Sequence, residues 1–152
     1  MIKALIIDDV ERARQSLRAD IEDYCENVLI VGEADGVSSG IEAIRSLKPD
    51  LVFLDIQMDD GTGFDLLEQI GAVDFKIIFT TALDEYAIRA FRFSAVDYLL
   101  KPIDPDQLQA AVAKIHEEPR KETSPYDLLL ENLKKIQNSS VRKIALNTQE
   151  KV

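Results

Sequence analysis

The sequence predicts an α/β domain, a doubly wound parallel sheet covered by helices on both faces, over residues 1–118. Three observations carry that expectation. Short apolar runs alternate with helix-patterned stretches five times in strict order, as βα units do. The apolar runs are continuous, the pattern of strands buried on both sides. Four of the five runs end abruptly in polar residues, where an open parallel sheet places its ligand sites.

The first run, Ile2–Ile7 (IKALII), stops at Asp8-Asp9. From Glu11 to Tyr24, Ala13, Leu17, Ile21 and Tyr24 recur at helical spacing. Val28–Val31 (VLIV) is the second strand; Val37, Ile41, Ile44 and Leu47 mark a second helix that Pro49 stops. Leu51–Leu54 (LVFL) ends in Asp55, and a loop with Gly61 and Gly63 leads to a short helix around Phe64–Ile70. Lys76–Phe79 (KIIF) ends in Thr80-Thr81-Ala82, followed by a helix near Glu85–Phe93. Ala95–Leu100 (AVDYLL) runs into Lys101-Pro102, and the last helix spans Pro105 to Glu117 with Asp104 as N-cap and Pro105 at its first position. Right-handed crossovers and five strands favour the flavodoxin-like arrangement, strand order 2-1-3-4-5.

Beyond Glu118 the texture changes. Residues 119–140 read as a polar, proline-interrupted linker with a short amphipathic helix carried by Tyr126, Leu129, Leu130, Leu133 and Ile136. Residues 141–152 hint at a new strand, Val141–Leu146.

Charge narrows the function. Residues 1–118 hold 11 Lys+Arg against 24 Asp+Glu, and 119–152 hold 7 against 4. So acidic a domain repels a phosphate backbone and is not itself a nucleic-acid surface. No stretch approaches the roughly 20 apolar residues of a membrane helix, and the N-terminus lacks the flanks of a secretory signal. The single cysteine, Cys25, cannot form an internal disulfide and reads as a structural thiol, which fits a cytoplasmic location.

The strand ends carry the chemistry. Asp8 and Asp9, Asp55, Thr81 and Lys101 bring three carboxylates, a hydroxyl and an ammonium to one edge. Crowded carboxylates repel unless a cation sits among them, and hard oxygen ligands suit Mg²⁺. Asp55 is then an in-line nucleophile toward a phosphoryl group, with Lys101 and Thr81 on the phosphoryl oxygens. An ionised carboxylate needs no general base. Any one of these residues alone is an ordinary cap or turn former; the set in order is not.

Asp8-Asp9, Asp55-Ile56-Gln57-Met58, Gly63, Thr81-Ala82 and Lys101-Pro102 together resemble the receiver domains of two-component response regulators, over residues 1–118. The resemblance implies that Asp55 is the phosphoacceptor for a sensor histidine kinase. Asp9, Asp55 and the Gln57 carbonyl would ligate Mg²⁺, with Asp8 acting through a bound water. It further implies a cis Lys101-Pro102 bond and a switch in which Thr81 moves toward the phosphoryl group and Tyr98 rotates into the space left. The protein would not be an enzyme beyond its own phosphorylation and dephosphorylation. A homodimer would form through the fourth helix, fifth strand and fifth helix, with Arg89 and Arg92 facing Asp97, Asp104 and Asp106.

Glu85-Tyr86-Ala87, Ala90-Phe91 and the run Ala95 to Ile103 are similar to the LytTR branch of transcription regulators. Arg142-Lys143-Ile144-Ala145-Leu146 is similar to the opening of the LytTR DNA-binding domain, so the resemblance implies a regulator truncated before its DNA-reading part. One departure stands out: receivers usually carry Met-Pro after the phosphoacceptor loop, and here Met58 precedes Asp59. The loop is expected to be less rigid, with Asp59 and Asp60 adding negative charge near the metal. Gln57 and Leu83 occupy positions that in this family influence phosphoryl lifetime.

Three rivals are weaker. A haloacid-dehalogenase-like phosphatase wants a second acid where Gln57 stands. A nucleotide or flavin binder wants a glycine- or hydroxyl-rich loop where Asp8-Asp9-Val10-Glu11 stands. A pseudo-receiver, acting only as an interaction module, would lack one of the acid, Thr or Lys positions, and none is missing. His116, the only histidine, is expected at the surface.

Overall fold

The structure is a computed structural model that describes residues 1–116. The expected linker helix, the strand from Val141 and the side chain of His116 lie outside that description. The chain runs β1 (Ile2–Ile7), α1 (Glu11–Tyr24), β2 (Val28–Ala34), α2 (Val37–Leu47), β3 (Leu51–Leu54), β4 (Gln57–Met58), β5 (Gly61–Thr62), α3 (Gly63–Ile70), β6 (Lys76–Thr81), α4 (Ala87–Arg92), β7 (Asp97–Leu100), α5 (Pro105–Ala113) and a 3₁₀ turn, Lys114–His116. Five parallel strands form one sheet in the order β2-β1-β3-β6-β7. Counted over its long strands this is the expected 2-1-3-4-5.

Side chains alternate across the sheet and build two separate cores. Leu5, Ile7, Val52, Leu54, Phe79 and Tyr98 face α2, α3 and α4. Ala4, Ile6, Leu51, Phe53, Ile78 and Leu99 face α1 and α5. Phe64 anchors the first core, its ring 5.3 Å from Phe79 and 5.5 Å from Phe93. Cys25 is buried in the second.

Several bounds differ from the expected ones. β2 continues to Ala34 because Gly32, Glu33 and Ala34 pair with β1 beyond a bulge at Ala4/Leu5; an edge strand needs no continuous apolarity, so Glu33 hid it. β6 continues to Thr81, since Thr80 and Thr81 pair with Leu99 and Leu100. β7 starts at Asp97, after Ser94 takes a left-handed turn at φ 60. The helix near Glu85–Phe93 shortens to Ala87–Arg92, and α5 tightens into its 3₁₀ turn after Ala113. Asp104 caps α5 as expected, accepting from the Asp106 N–H at 2.8 Å with Pro105 in the first turn.

The segment after Asp55 is not a plain loop. Gln57 and Met58 pair antiparallel with Thr62 and Gly61, and Thr62 and Asp65 form a reciprocal capping box at the start of α3. Three of the five charges assigned to a dimer face find partners within the chain. Asp97 is buried and pairs with Lys114 at 2.9 Å. Arg89 lies 4.4 Å over the Phe64 ring and 3.6 Å from Glu68, and Asp104 is committed as a cap.

Candidate functional site

The site is built by extending the sheet ladder one residue past the strands. The Asp8 N–H donates to the Ala34 carbonyl at 3.0 Å, the Asp55 N–H to Ile7 at 2.9 Å, and the Lys101 N–H to Thr81 at 2.8 Å. These three residues are thereby pinned at the backbone just past the strand ends. The Lys101-Pro102 bond is cis, as expected.

Four of the expected residues come together. One carboxylate oxygen from each of Asp8, Asp9 and Asp55 lies within 4.8 Å of the others. Lys101 Nζ donates to Asp8 Oδ2 at 2.6 Å and to Asp55 Oδ2 at 3.3 Å. Asp8 Oδ1 accepts from the Val10 N–H, and Asp55 Oδ1 from the Ile56 N–H at 2.7 Å. Asp8 and Asp55 are buried; Asp9 is half-buried.

Burial sets the electrostatics. Desolvation lifts the Asp55 carboxyl to about 6; Lys101 and the Ile56 N–H oppose the rise, and Asp8 adds to it. Asp9 is raised by burial and then by the charges of Asp59 and Asp8. For Lys101 burial works against the charge, but the hydrogen bond to Asp8 and the carboxylates of Asp55 and Asp8 outweigh it and raise its pKa.

The donor set fits a small hard cation. Three carboxylates share one position, all ligand atoms are oxygen, and no soft donor belongs to the cluster. Asp8 has both oxygens engaged, by Lys101 and by the Val10 N–H. Gln57 lies two residues past Asp55 in β4.

Thr81 and Tyr98 meet through one residue. Thr81 Oγ1 accepts from the Leu83 N–H at 3.3 Å, and the Tyr98 hydroxyl donates to the Leu83 carbonyl. Both are buried, Tyr98 with its ring 6.2 Å from Phe79. Leu83 is thus the residue that the two side chains share.

Gly63 has a steric reason. A Cβ there would lie 2.5 Å from the Asp55 carbonyl oxygen, which is backbone and cannot step aside. The Gly63 N–H also donates to the Ile56 carbonyl at 2.8 Å. Gly63→Ala is expected to destabilise by about 1–3 kcal/mol, the usual cost of overpacking. Urea unfolding measures it, and an unchanged midpoint would contradict the contact.

Two contributors escaped the sequence reading. Arg14 Nη1 donates to the Asp8 carbonyl at 2.7 Å while its Nε pairs with Glu33 at 3.1 Å. Only the length of β2 brings Glu33 within reach, so no spacing rule would have found the pair. Asp60, which the sequence offered only as added negative charge, accepts from the Val37 and Ser38 N–H groups at 2.7 and 3.0 Å. Those two bonds hold its carboxyl below the ordinary range. The available signal was Gly36, an N-cap with no side chain to offer α2.

Comparison with known proteins agrees with this geometry. The family described as "Response regulator receiver domain" matches residues 4–113. Among relatives, the transcriptional regulatory protein BtsR of Escherichia coli K12 is 44% identical over 126 residues, 80% of this chain and 51% of that protein. An uncharacterized response regulatory protein of Vibrio parahaemolyticus is 44% identical over 117 residues, 76% of this chain and 48% of that one. The chain thus spans about half the length of the curated relatives it matches. Among solved structures, the response regulatory domain of mrkE from Klebsiella pneumoniae superposes with a TM-score of 0.68 at 30% identity, covering 75% of this chain and 94% of that one. The response regulator domain of Thermotoga maritima CheB gives 0.66 at 25%, covering 78% and 99%.

Proposed function

This chain belongs to the response regulator receiver domain family, and from that premise we propose that it accepts a phosphoryl group on Asp55 in a Mg²⁺-dependent reaction. The observation that carries the proposal is the meeting of Asp55 with Lys101, 3.3 Å away, inside a cluster of three carboxylates. An Asp55 oxygen attacks phosphorus, the bond to the donor's leaving group breaks, and that group departs with the electron pair. Lys101 pairs with one phosphoryl oxygen and Thr81 donates to another. Asp9, Asp55 and the Gln57 carbonyl would hold Mg²⁺ directly and Asp8 through water. Mg²⁺ bound there supplies neutralisation of charge on the phosphoryl oxygens.

The phosphodonor on this reading is a sensor histidine kinase. The output is transcription through a DNA-binding part of LytTR type, which the name of the BtsR relative supports at the level of transcriptional regulation. Thr81 and Tyr98 form the switch through Leu83. A homodimer through α4, β7 and α5 belongs to the same reading. It would rest on apolar contact such as Ile88, 53% exposed on α4, because Arg89, Asp97 and Asp104 are engaged within the chain.

The test is acetyl phosphate with and without Mg²⁺, followed by intact mass and peptide mapping. One phosphoryl adduct on the peptide holding Asp55, absent with EDTA, is the expected result. Mg²⁺ binding without an adduct under any donor, kinase included, would favour a pseudo-receiver that works as an interaction module.

A further inference from the structure

The chain lacks a proline at position 59, yet the segment from Gln57 to Thr62 is held from outside. Asp60, near the tip of the β4–β5 hairpin, accepts from the first two N–H groups of α2, Val37 at 2.7 Å and Ser38 at 3.0 Å. A helix leaves those donors without an internal partner. The residue that would ordinarily satisfy them, the N-cap, is Gly36, and it has no side chain to do so.

Gly36 and the carboxylate lie close together. A Cβ at Gly36 would lie 2.7 Å from Asp60 Oδ1 and would press on the carboxylate in its present place. The other end of the hairpin is fixed as well. The Gly63 N–H reaches the Ile56 carbonyl, and Gly63 sits against the Asp55 carbonyl with no room for a Cβ. The segment is therefore tied to the phosphoacceptor strand at its base and to α2 at its tip.

We propose that Asp60 is a positioning residue for the Asp55 reaction: by capping α2 from the hairpin, it holds Gln57–Asp59 in place beside the Asp8–Asp9–Asp55 cluster. The inference rests on the phosphoryl-acceptor reading given above. Asp60 touches neither metal nor phosphoryl group in this scheme. It acts through the hairpin backbone, doing by hydrogen bonds what a rigid ring at position 59 would do by fixing φ.

The experiment compares Mg²⁺ affinity, by calorimetry, with urea stability in the wild-type chain and in Asp60→Ala, Asp60→Asn, Asp59→Pro/Asp60→Ala and Asp59→Ala/Asp60→Ala. Asp60→Ala is expected to weaken Mg²⁺ binding roughly tenfold, the lower end of what lost outer support costs a metal site. Asp60→Asn keeps an acceptor oxygen and is expected to recover part of the affinity. Asp59→Pro/Asp60→Ala is expected to recover Mg²⁺ affinity while remaining as destabilised as Asp60→Ala, because proline stiffens the hairpin but cannot cap α2. Asp59→Ala/Asp60→Ala, which removes the same charge without stiffening, is expected to recover less.

A purely structural cap would lower stability in all variants lacking the carboxylate and leave Mg²⁺ affinity alone. That result overturns the inference, as does equal recovery by Asp59→Ala and Asp59→Pro. Failure of the underlying reading is separately visible, since the wild-type chain would then bind no Mg²⁺.

Discussion

Asp55→Asn is expected to abolish phosphoryl acceptance and, in Mg²⁺-free buffer at neutral pH, to make the fold more stable. The two outcomes share one cause. The Asp55 carboxyl sits near 6 in the folded chain because burial opposes its charge, with Lys101 offsetting only part of that cost. Unfolded, it returns to about 4. Between those values the folded state binds more protons than the unfolded one, so this group's contribution to stability falls as pH rises through the window. At neutral pH the whole cost is present. Asparagine removes the charge and with it a penalty of about 1–2 kcal/mol, allowing for screening by solvent. Urea unfolding of both proteins at pH 4.5 and 7.5 measures the difference, which is expected to be larger at pH 7.5. A variant less stable than wild type at pH 7.5 without metal would refute the electrostatic account. Saturating Mg²⁺ is expected to narrow or reverse the gap, since it binds the folded wild type better.

Lys101→Met should lower the rate of adduct formation from acetyl phosphate by about 10²–10³, the usual loss when one donor to developing oxyanion charge is removed. Lys101 Nζ reaches both Asp8 and Asp55, and on the proposed reading it pairs with an incoming phosphoryl oxygen. Methionine fills similar space without the charge. Removing the ammonium also leaves two buried carboxylates facing each other, which raises the demand for a cation. Mg²⁺ affinity is therefore expected to hold or rise while the rate collapses. Lys101→Arg should not restore the rate, because a planar fork cannot take the place of a compact ammonium between two carboxylates. Quenched-flow mass spectrometry at saturating Mg²⁺ reads the rate, and a change under threefold would remove Lys101 from the reaction.

Much of this was visible in residue order. Asp8, Asp55 and Lys101 could be placed because β1, β3 and β7 finish on apolar residues and the next residue is polar, while Asp9 and Thr81 each stand directly after a polar neighbour at the same edge. What stayed hidden depends on contacts between distant elements. Glu33 extends an edge strand, where one side is free of apolar demand, and its pairing with Arg14 follows only from the register of β2 on β1. Asp60 looked like surplus charge near the metal because a carboxylate that caps a helix 23 residues earlier leaves no periodic trace. Asp97 looked like surface charge and is a buried partner of Lys114.

The division of the apolar interior into two cores has its own consequence. Phe64, Phe79 and Tyr98 lie together on the face covered by α2, α3 and α4, whereas Leu17, Ile21, Phe53 and Leu108 lie on the other. The sheet between them is a partition one backbone thick, with a full layer of side chains on each side. If Tyr98 moves as proposed, the residues it would disturb first are those of its own layer, and the α1–α5 layer would remain as a second source of apolar burial. Substitutions in either layer are then expected to cost stability, while those around Tyr98 are expected to alter the response as well.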